Sequence, residues 1–161
     1  MSQENETATK SDRQILVFNL MDEEMGLPVE RVREVLRPQT IHPLVHTPDF
    51  IEGVIYVRKY VLVVIALRKK FGLKPNADCS AERIIIGKAN HSIIGLLVDR
   101  VSEVLSVPAR DIQPTPEILA QRNQGRFVSG LAKAGDRVIT LLDLDRLVTT
   151  EELAHLSGIK A

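Results

Sequence analysis

The sequence predicts an all-β protein made of two similar halves, each closed into a small barrel of about five strands. Residues 25–36 read MGLPVERVREVL and residues 94–105 read IGLLVDRVSEVL, and they are identical at eight of twelve positions. A second pair, FIEGVI at 50–55 and FVSGLA at 127–132, follows in the same order. The copies lie 69 residues apart in the first pair and 77 in the second. We therefore interpret the chain as a tandem duplication.

Composition narrows the possible functions. The 161 residues are 44% apolar and 26% charged, with 21 acidic and 21 basic side chains. A neutral chain whose one dense basic run is residues 68–70 is not typical of nucleic-acid binding, and that run is more typical of a solvated helix end. Direct membrane insertion is not expected, because no apolar stretch approaches about 18 residues and the polar start lacks a signal-peptide core. The single Cys79 excludes an internal disulfide and fits a reducing cytoplasm.

The first half is predicted to contain five short strands. They are residues 14–20, 25–29, 33–36, 50–57 and 60–67. Pro28 lacks a backbone donor, so the second strand should be short or lie at a sheet edge. Valines three or four apart from Val29 onward suggest one helical turn before the third strand. Three prolines in residues 37–48 predict an extended connector, Arg58-Lys59 a hairpin turn, and residues 68–72 a short helical end.

The second half is predicted to repeat this plan. Its β-type segments are residues 83–89, the repeat copy within 93–105, 126–132 and 137–142. A helical turn is expected at 117–121, and a hairpin loop at 133–136. Thr149 with Glu152 three residues on forms a capping-box pattern that begins a C-terminal helix, which Gly158 would end.

These elements give a domain plan. Residues 1–13 should be a disordered tail, residues 14–150 one folded unit of two interleaved barrel halves, roughly 14–78 and 79–148, and residues 149–161 a C-terminal helix and tail. Each half is near the lower size limit for a self-sufficient core. The two barrels are therefore expected to share a core.

Catalytic, cofactor and metal sites are not predicted. The chain carries neither a phosphate-binding glycine loop nor a nucleophile elbow. His42 and His46 lie in a proline-rich loop with no third ligand nearby, and Cys79 has no CxxC partner. Asp143 and Asp145 are best explained as acidic groups at the start of the last helix. The sequence thus predicts a protein that is not an enzyme.

The candidate binding residues have two readings each. Arg58 is either a hairpin-tip arginine facing water or a fixed guanidinium that a partner binds beside an apolar groove. Val32 and Val104 are either core residues or surface valines at a seam between the halves, where a partner helix would fit. Glu34 and Glu103 either face solvent or pair with Arg58 or with a partner.

Ordered motifs over residues 14–150 resemble the CheW family of chemotaxis coupling proteins. The matching pieces are LVFNL at 16–20, VREVL at 32–36, HTPDFIEGVI at 46–55, GLLVDRVSEV at 95–104, IQPTP at 112–116 and LLDLDRLV at 141–148. The resemblance implies two five-stranded SH3-like barrels, in agreement with the duplication.

The resemblance also implies a non-enzymatic cytoplasmic adaptor, recruited to receptor arrays. Such a protein bridges the regulatory domain of a CheA-type histidine kinase and the cytoplasmic hairpin tip of a methyl-accepting chemoreceptor. It is expected to be monomeric alone and to form arrays with its partners. Carried over position by position, the residues implied for the receptor-binding groove are Val32, Glu34, Gly53, Arg58 and Val104. The kinase-binding residues are not assigned.

The chain departs from the family pattern at two places. Lys59 stands where the family has the glycine of its NLRG motif, and Ala66 where it has an aspartate before leucine; the proline of that strand is also missing. These departures leave open a divergent member that binds only the kinase, or one that serves pilus motility or another chemosensory pathway. A small-ligand-binding β-barrel or an enzyme of unrecognised type is the alternative from a different class.

Overall fold

The chain folds into two antiparallel-rich sheets, seen in a computed structural model that describes residues 12–120, 125–149 and 152. The first sheet consists of β1 (Asp12–Leu20), β2 (Glu23–Pro28), β8 (Arg100–Pro108), β9 (Ile112–Pro114), β10 (Val128–Ala134) and β11 (Arg137–Leu142). The second consists of β3 (Val32–Leu36), β4 (Ile51–Val57), β5 (Tyr60–Ala66), β6 (Arg83–Ala89) and β7 (Ser92–Val98). We name them barrel A and barrel B. The two-barrel all-β fold predicted from the sequence is confirmed, with the expected five strands in barrel B and six in barrel A.

The short helices lie in the connections. They are α1 (Leu67–Lys70), α2 (Glu117–Ala120) and α3 (Leu144–Leu147), with 3-10 turns at Val29–Arg31, Ala109–Asp111 and Gly125–Phe127. Among the described residues, no helix has the length and apolar character needed to cross a bilayer.

Each sheet curls until its edges meet. Barrel A has the strand order β8-β1-β2-β11-β10-β9, and β8 runs through a 3-10 turn into β9, which joins the two edges. Barrel B has the order β3-β6-β7-β5-β4, and the connector after β3 pairs with β4 through the bridge between His42 and Val54. Closure leaves few unpaired edge groups, which protects small sheets from pairing with other chains.

The strands do not divide between residues 78 and 79 as expected. Barrel B takes residues 32–98, and barrel A takes the strands on both sides of it. Each copy of the 12-residue repeat changes sheet at its middle, because the 3-10 turn Val29–Arg31 bends the first copy and a break at Asp99 bends the second. The first copy crosses from A to B and the second from B to A. The expectation of one barrel per sequence half is therefore wrong.

Other boundaries differ in detail. β1 begins at Asp12, so two residues assigned to the expected tail are strand; residues 1–11 lie outside the described residues. β2 is internal to its sheet, between β1 and β11, and tolerates Pro28 because that residue ends the strand. The capping box is confirmed, since the amide of Glu152 donates to Thr149 Oγ1 at 3.1 Å and the amide of Thr149 to Glu152 Oε1 at 3.0 Å. The remainder of the predicted C-terminal helix lies outside the described residues.

Three apolar clusters explain why the barrels stay together. One fills barrel A around Ile15, Val17 and Ile139, and one fills barrel B around Ile55, Val64 and Ile84. The largest lies between the barrels, because alternate residues of β1, β6 and β7 point out of their own barrel and into the other. Its fully buried members include Phe18 and Leu96. The predicted shared core is this central cluster.

Candidate functional site

The hairpin tip between β4 and β5 carries Arg58 into solvent. Its side chain is 71% exposed, and its Nη1 lies 2.8 Å from Oε2 of Glu34 on β3. Arg58 Nη2 also donates to Glu34 Oε1 at 3.4 Å, so the pair is two-pronged. Hydrogen bonding to Glu34 raises the pKa of the Arg58 guanidinium above its usual value. Exposed pairs contribute little to stability, so the effect of this pair is to hold a charged fork in one orientation.

Lys59 is compatible with the turn it occupies. The left-handed residue of the turn is Arg58, with φ of 55°, and Lys59 is not among the residues with positive φ. A glycine at position 59 is therefore not needed for this backbone. The departure from the NLRG motif adds a positive charge beside Arg58 and requires no other turn conformation.

The valines of the repeat divide into two environments. Val32 is half-buried and packs against the central cluster, and its repeat equivalent Val101 does the same. Val104 is 54% exposed, and its equivalent Val35 is 38% exposed. The core reading thus holds for Val32 and the surface reading for Val104. Sequence reasoning missed Val35, although aligning the two copies places it opposite Val104.

Gly53 lies beneath the connector between β3 and β4, which contains His42. Its φ is 148°, and a Cβ there would overlap the backbone carbonyl of His42. The bridge between His42 and Val54 needs this close approach, with backbone hydrogen bonds of 2.8 Å in both directions. The residue is buried, so the backbone that the glycine admits belongs to this chain. Its repeat equivalent Gly130 admits the carbonyl of Gln113 in barrel A in the same way.

Four of the five predicted residues lie in barrel B, on the edge strands β3 and β4 and at the tip of the hairpin between β4 and β5. Glu34 and Arg58 are in contact, and Val32 and Gly53 lie in the same sheet. Val104 lies on β8 of barrel A, opposite Leu16 of β1. The predicted groove would therefore have one wall from each barrel.

Barrel A repeats the ion pair of barrel B. Glu103 is the repeat equivalent of Glu34, and its Oε2 lies 3.0 Å from Nη2 of Arg137, at the start of β11. Arg137 also binds Glu24 through Nε at 3.0 Å and Nη2 at 2.6 Å. The hydrogen bond from Arg137 lowers the pKa of the Glu24 carboxyl. Glu103 therefore pairs within its own barrel and not with Arg58.

Both crossings between barrels are fixed by an arginine–aspartate pair. In the second crossing, Arg68 of α1 binds Asp99 through Nε at 2.7 Å and through Nη2, with side chains 16% and 12% exposed. Asp99 also accepts the amide of Met21 at 2.8 Å. Burial opposes ionisation of Asp99, but the hydrogen bonds from Arg68 and Met21 outweigh it, so the carboxyl pKa is lowered.

The first crossing has the same arrangement with the charges exchanged. Asp145 of α3 binds Arg31 at 3.0 and 2.9 Å and accepts the amide of Asn90 at 2.9 Å. The parallel pairing of Val64 with Gly95 and of Leu141 with Gly26 makes Arg68 and Asp145 equivalent positions. We call each of these two arginine–aspartate pairs a clamp, because it connects a helix, a crossing and a tight turn. Sequence reasoning placed Asp145 at a helix start and missed this role.

The same equivalence explains the departure at Ala66. Its counterpart is Asp143, whose carboxylate accepts the amide of Asp145 at 3.0 Å and caps α3. Ala66 stands at the N-cap of α1 without a side-chain cap hydrogen bond. The loss of aspartate there removes a helix cap worth about 1 kcal/mol and leaves the ion pair of Arg68 in place.

The described residues give little support for a metal site or a catalytic site. No three His, Cys, Asp or Glu side chains within them are grouped as metal ligands would be. His42 packs edge-on against Tyr56, with ring centroids 5.2 Å apart. An open cleft of about 590 Å³ at the seam is lined mainly by apolar side chains, among them Met25, Phe71 and Leu142.

Comparisons with known proteins agree with these observations. Residues 14–152 match the family model described as CheW-like domain. The chain is 34% identical to a probable chemotaxis protein CheW of Rhizobium etli over 94% of this chain and 97% of that protein. It is 31% identical to chemotaxis protein CheW of Klebsiella aerogenes over 91% and 88% of the two chains. The solved structure of scaffolding protein TtCheW from Thermoanaerobacter tengcongensis has a TM-score of 0.80 and 34% identity, covering 88% of this chain and 95% of that one. With two barrels, a duplicated crossing and nearly full-length matches, the chain belongs to the CheW family.

Proposed function

We propose that this protein is a non-enzymatic adaptor that couples chemoreceptors to a CheA-type histidine kinase in chemotaxis. The observation that carries this proposal is the Arg58–Glu34 pair, which holds an exposed guanidinium at a hairpin tip in a chain of the CheW family. An oriented charge that contributes little to folding is available to a partner.

The receptor surface is proposed to run from barrel B to barrel A. Glu34 and Arg58 supply its charged side and Val104 an exposed apolar contact, and the equivalent Val35 extends it. Val32 and Gly53 shape this surface from beneath through packing and backbone closure. A helical hairpin tip of a receptor presents apolar and charged side chains at helical spacing, which suits a groove of this composition.

The kinase is proposed to bind through its own CheW-like regulatory domain, barrel against barrel, in cytoplasmic arrays beneath the receptors. Signal transfer then requires that binding of the adaptor differ in free energy between the active and inactive states of the assembly. The clamps at both crossings favour this role, because barrels that keep a fixed relative orientation transmit a displacement from one partner to the other.

Arg58→Glu tests the receptor surface. Because the side chain is exposed, we expect the variant to fold as the wild type does, while its affinity for a receptor signalling fragment falls at least about tenfold. Isothermal titration calorimetry with the receptor fragment and, separately, with the kinase regulatory domain measures both affinities. Kinase affinity should change little.

The matched control is the double reversal Glu34→Arg with Arg58→Glu. It restores an ion pair at the tip but exchanges the charges. Receptor affinity that stays low in the double variant supports direct recognition of Arg58. Unchanged receptor affinity in Arg58→Glu would contradict the assignment.

A kinase-only adaptor is the second candidate, favoured by the extra charge of Lys59 beside Arg58. It predicts kinase binding by the wild type with no measurable receptor binding in the same calorimetric series.

A further inference from the structure

Lys70 is an almost fully buried lysine at the seam between the barrels. Its side chain is 6% exposed, and its Nζ lies 3.7 Å from the centroid of the Phe50 ring and 5.3 Å from that of Phe127. Phe50 and Phe127 are equivalent residues of the second sequence repeat, one preceding β4 of barrel B and the other preceding β10 of barrel A. The ammonium therefore lies between equivalent rings of the two barrels.

A buried ammonium requires compensation, and Glu152 provides it. Glu152 Oε2 lies 2.9 Å from Lys70 Nζ. The other carboxylate oxygen accepts from the amide and hydroxyl of Thr149 at 3.0 and 3.1 Å. One carboxylate thus binds both Thr149 and Lys70 of α1.

Pseudosymmetry shows that the core does not require a lysine at this position. The equivalent of Lys70 in α3 is Leu147, which is completely buried in the central cluster. Apolar residues often replace buried ion pairs with no loss of stability. We therefore explain the positive charge of Lys70 by its ion pair with the carboxylate of Glu152.

We propose that Lys70, Phe50 and Phe127 form a carboxylate-binding site that Glu152 of the same chain occupies, so that Glu152, oriented by Thr149, is a removable latch at the seam between the barrels. The two aromatic faces stabilise the ammonium by cation–π attraction, and the carboxylate neutralises it. Release of Glu152 leaves the Lys70 ammonium between the two rings without its carboxylate. This site is independent of the Arg58 surface and goes beyond the proposed adaptor function.

Amine-selective acetylation of the full-length chain tests the latch. In Glu152→Gln we expect Lys70 to be acetylated about tenfold faster than in the wild type, the factor that corresponds to a loss of 1.4 kcal/mol of latch stability. The rate at Lys69, on the same helix, serves as the internal control and should change less than about twofold. Equal acetylation of Lys70 in wild type and variant would overturn the proposal.

Lys70→Met provides the reciprocal measurement, since the equivalent leucine shows that an apolar side chain fits. Hydrogen exchange of the Thr149 and Glu152 amides, which donate to each other's side chains, should be faster in this variant and in Glu152→Gln, and no faster in the double variant than in either single one. Exchange of these two amides that is unaffected by Lys70→Met would also refute the latch.

Discussion

Asp99→Asn is expected to lower the free energy of unfolding by about 3 kcal/mol, near the lower end of the cost of breaking a buried ion pair. The substitution keeps the shape of the side chain but removes the charge, so the guanidinium of Arg68 loses its counter-ion while remaining 84% covered (16% exposed). The amide of Met21 and the second crossing are fixed by the same carboxylate. Urea denaturation at neutral pH, followed by circular dichroism, measures the loss.

Glu30→Gln is the matched control for this prediction. Glu30 is the repeat equivalent of Asp99 but is exposed, so its replacement should change stability by less than about 0.5 kcal/mol. Equal losses in the two variants would contradict a special role for the clamp.

The pH dependence of the stability difference between wild type and Asp99→Asn gives a second check. Because the folded pKa of Asp99 is lowered, its contribution is complete above the unfolded pKa and disappears as pH falls through the folded one. The gap between wild type and Asp99→Asn should therefore close in acid.

Gly53→Ala is expected to cost about 3 kcal/mol or more, because strain in a disfavoured backbone region and a steric clash add. Its φ of 148° disfavours any side chain, and the added Cβ would meet the backbone carbonyl of His42, which cannot rotate away. The connector of barrel B would have to separate from β4. Thermal and urea unfolding both report the loss.

Gly135→Ala separates the two causes. Gly135 also has a positive φ, 63°, but its Cβ direction is open, so alanine there should cost only about 1–2 kcal/mol. A loss at Gly53 no larger than that at Gly135 would mean that barrel closure does not depend on the contact with His42.

Local structure was predictable where short-range chemistry decides it. The hairpin tip at Arg58, the β-branched strands and the capping box of Thr149 with Glu152 depend on residues within a few positions of one another. The duplication also indicated two similar barrels, although it did not show which strands form each one.

The exchange of strands between barrels was not predictable from the repeat alone. The pattern of Val29 and Val32 shows that the chain bends, but not which sheet accepts the next strand. That choice depends on pairs distant in sequence, such as Arg31 with Asp145 and Arg68 with Asp99, which are 114 and 31 residues apart. Val32 is half-buried and Val104 exposed for a related reason. Val32 is equivalent to Val101, which lies three residues before Val104, and side chains an odd number of residues apart point to opposite faces of a strand.

Coupling requires that one adaptor molecule bind kinase and receptor at the same time. Sedimentation velocity of an equimolar mixture of this protein, the kinase regulatory domain and a receptor signalling fragment measures this directly. We expect a single boundary that contains all three chains. With Arg58→Glu, the receptor fragment alone should be missing from this boundary, while the kinase regulatory domain stays bound. Boundaries that contain the kinase or the receptor with this protein, but never both, would contradict the account.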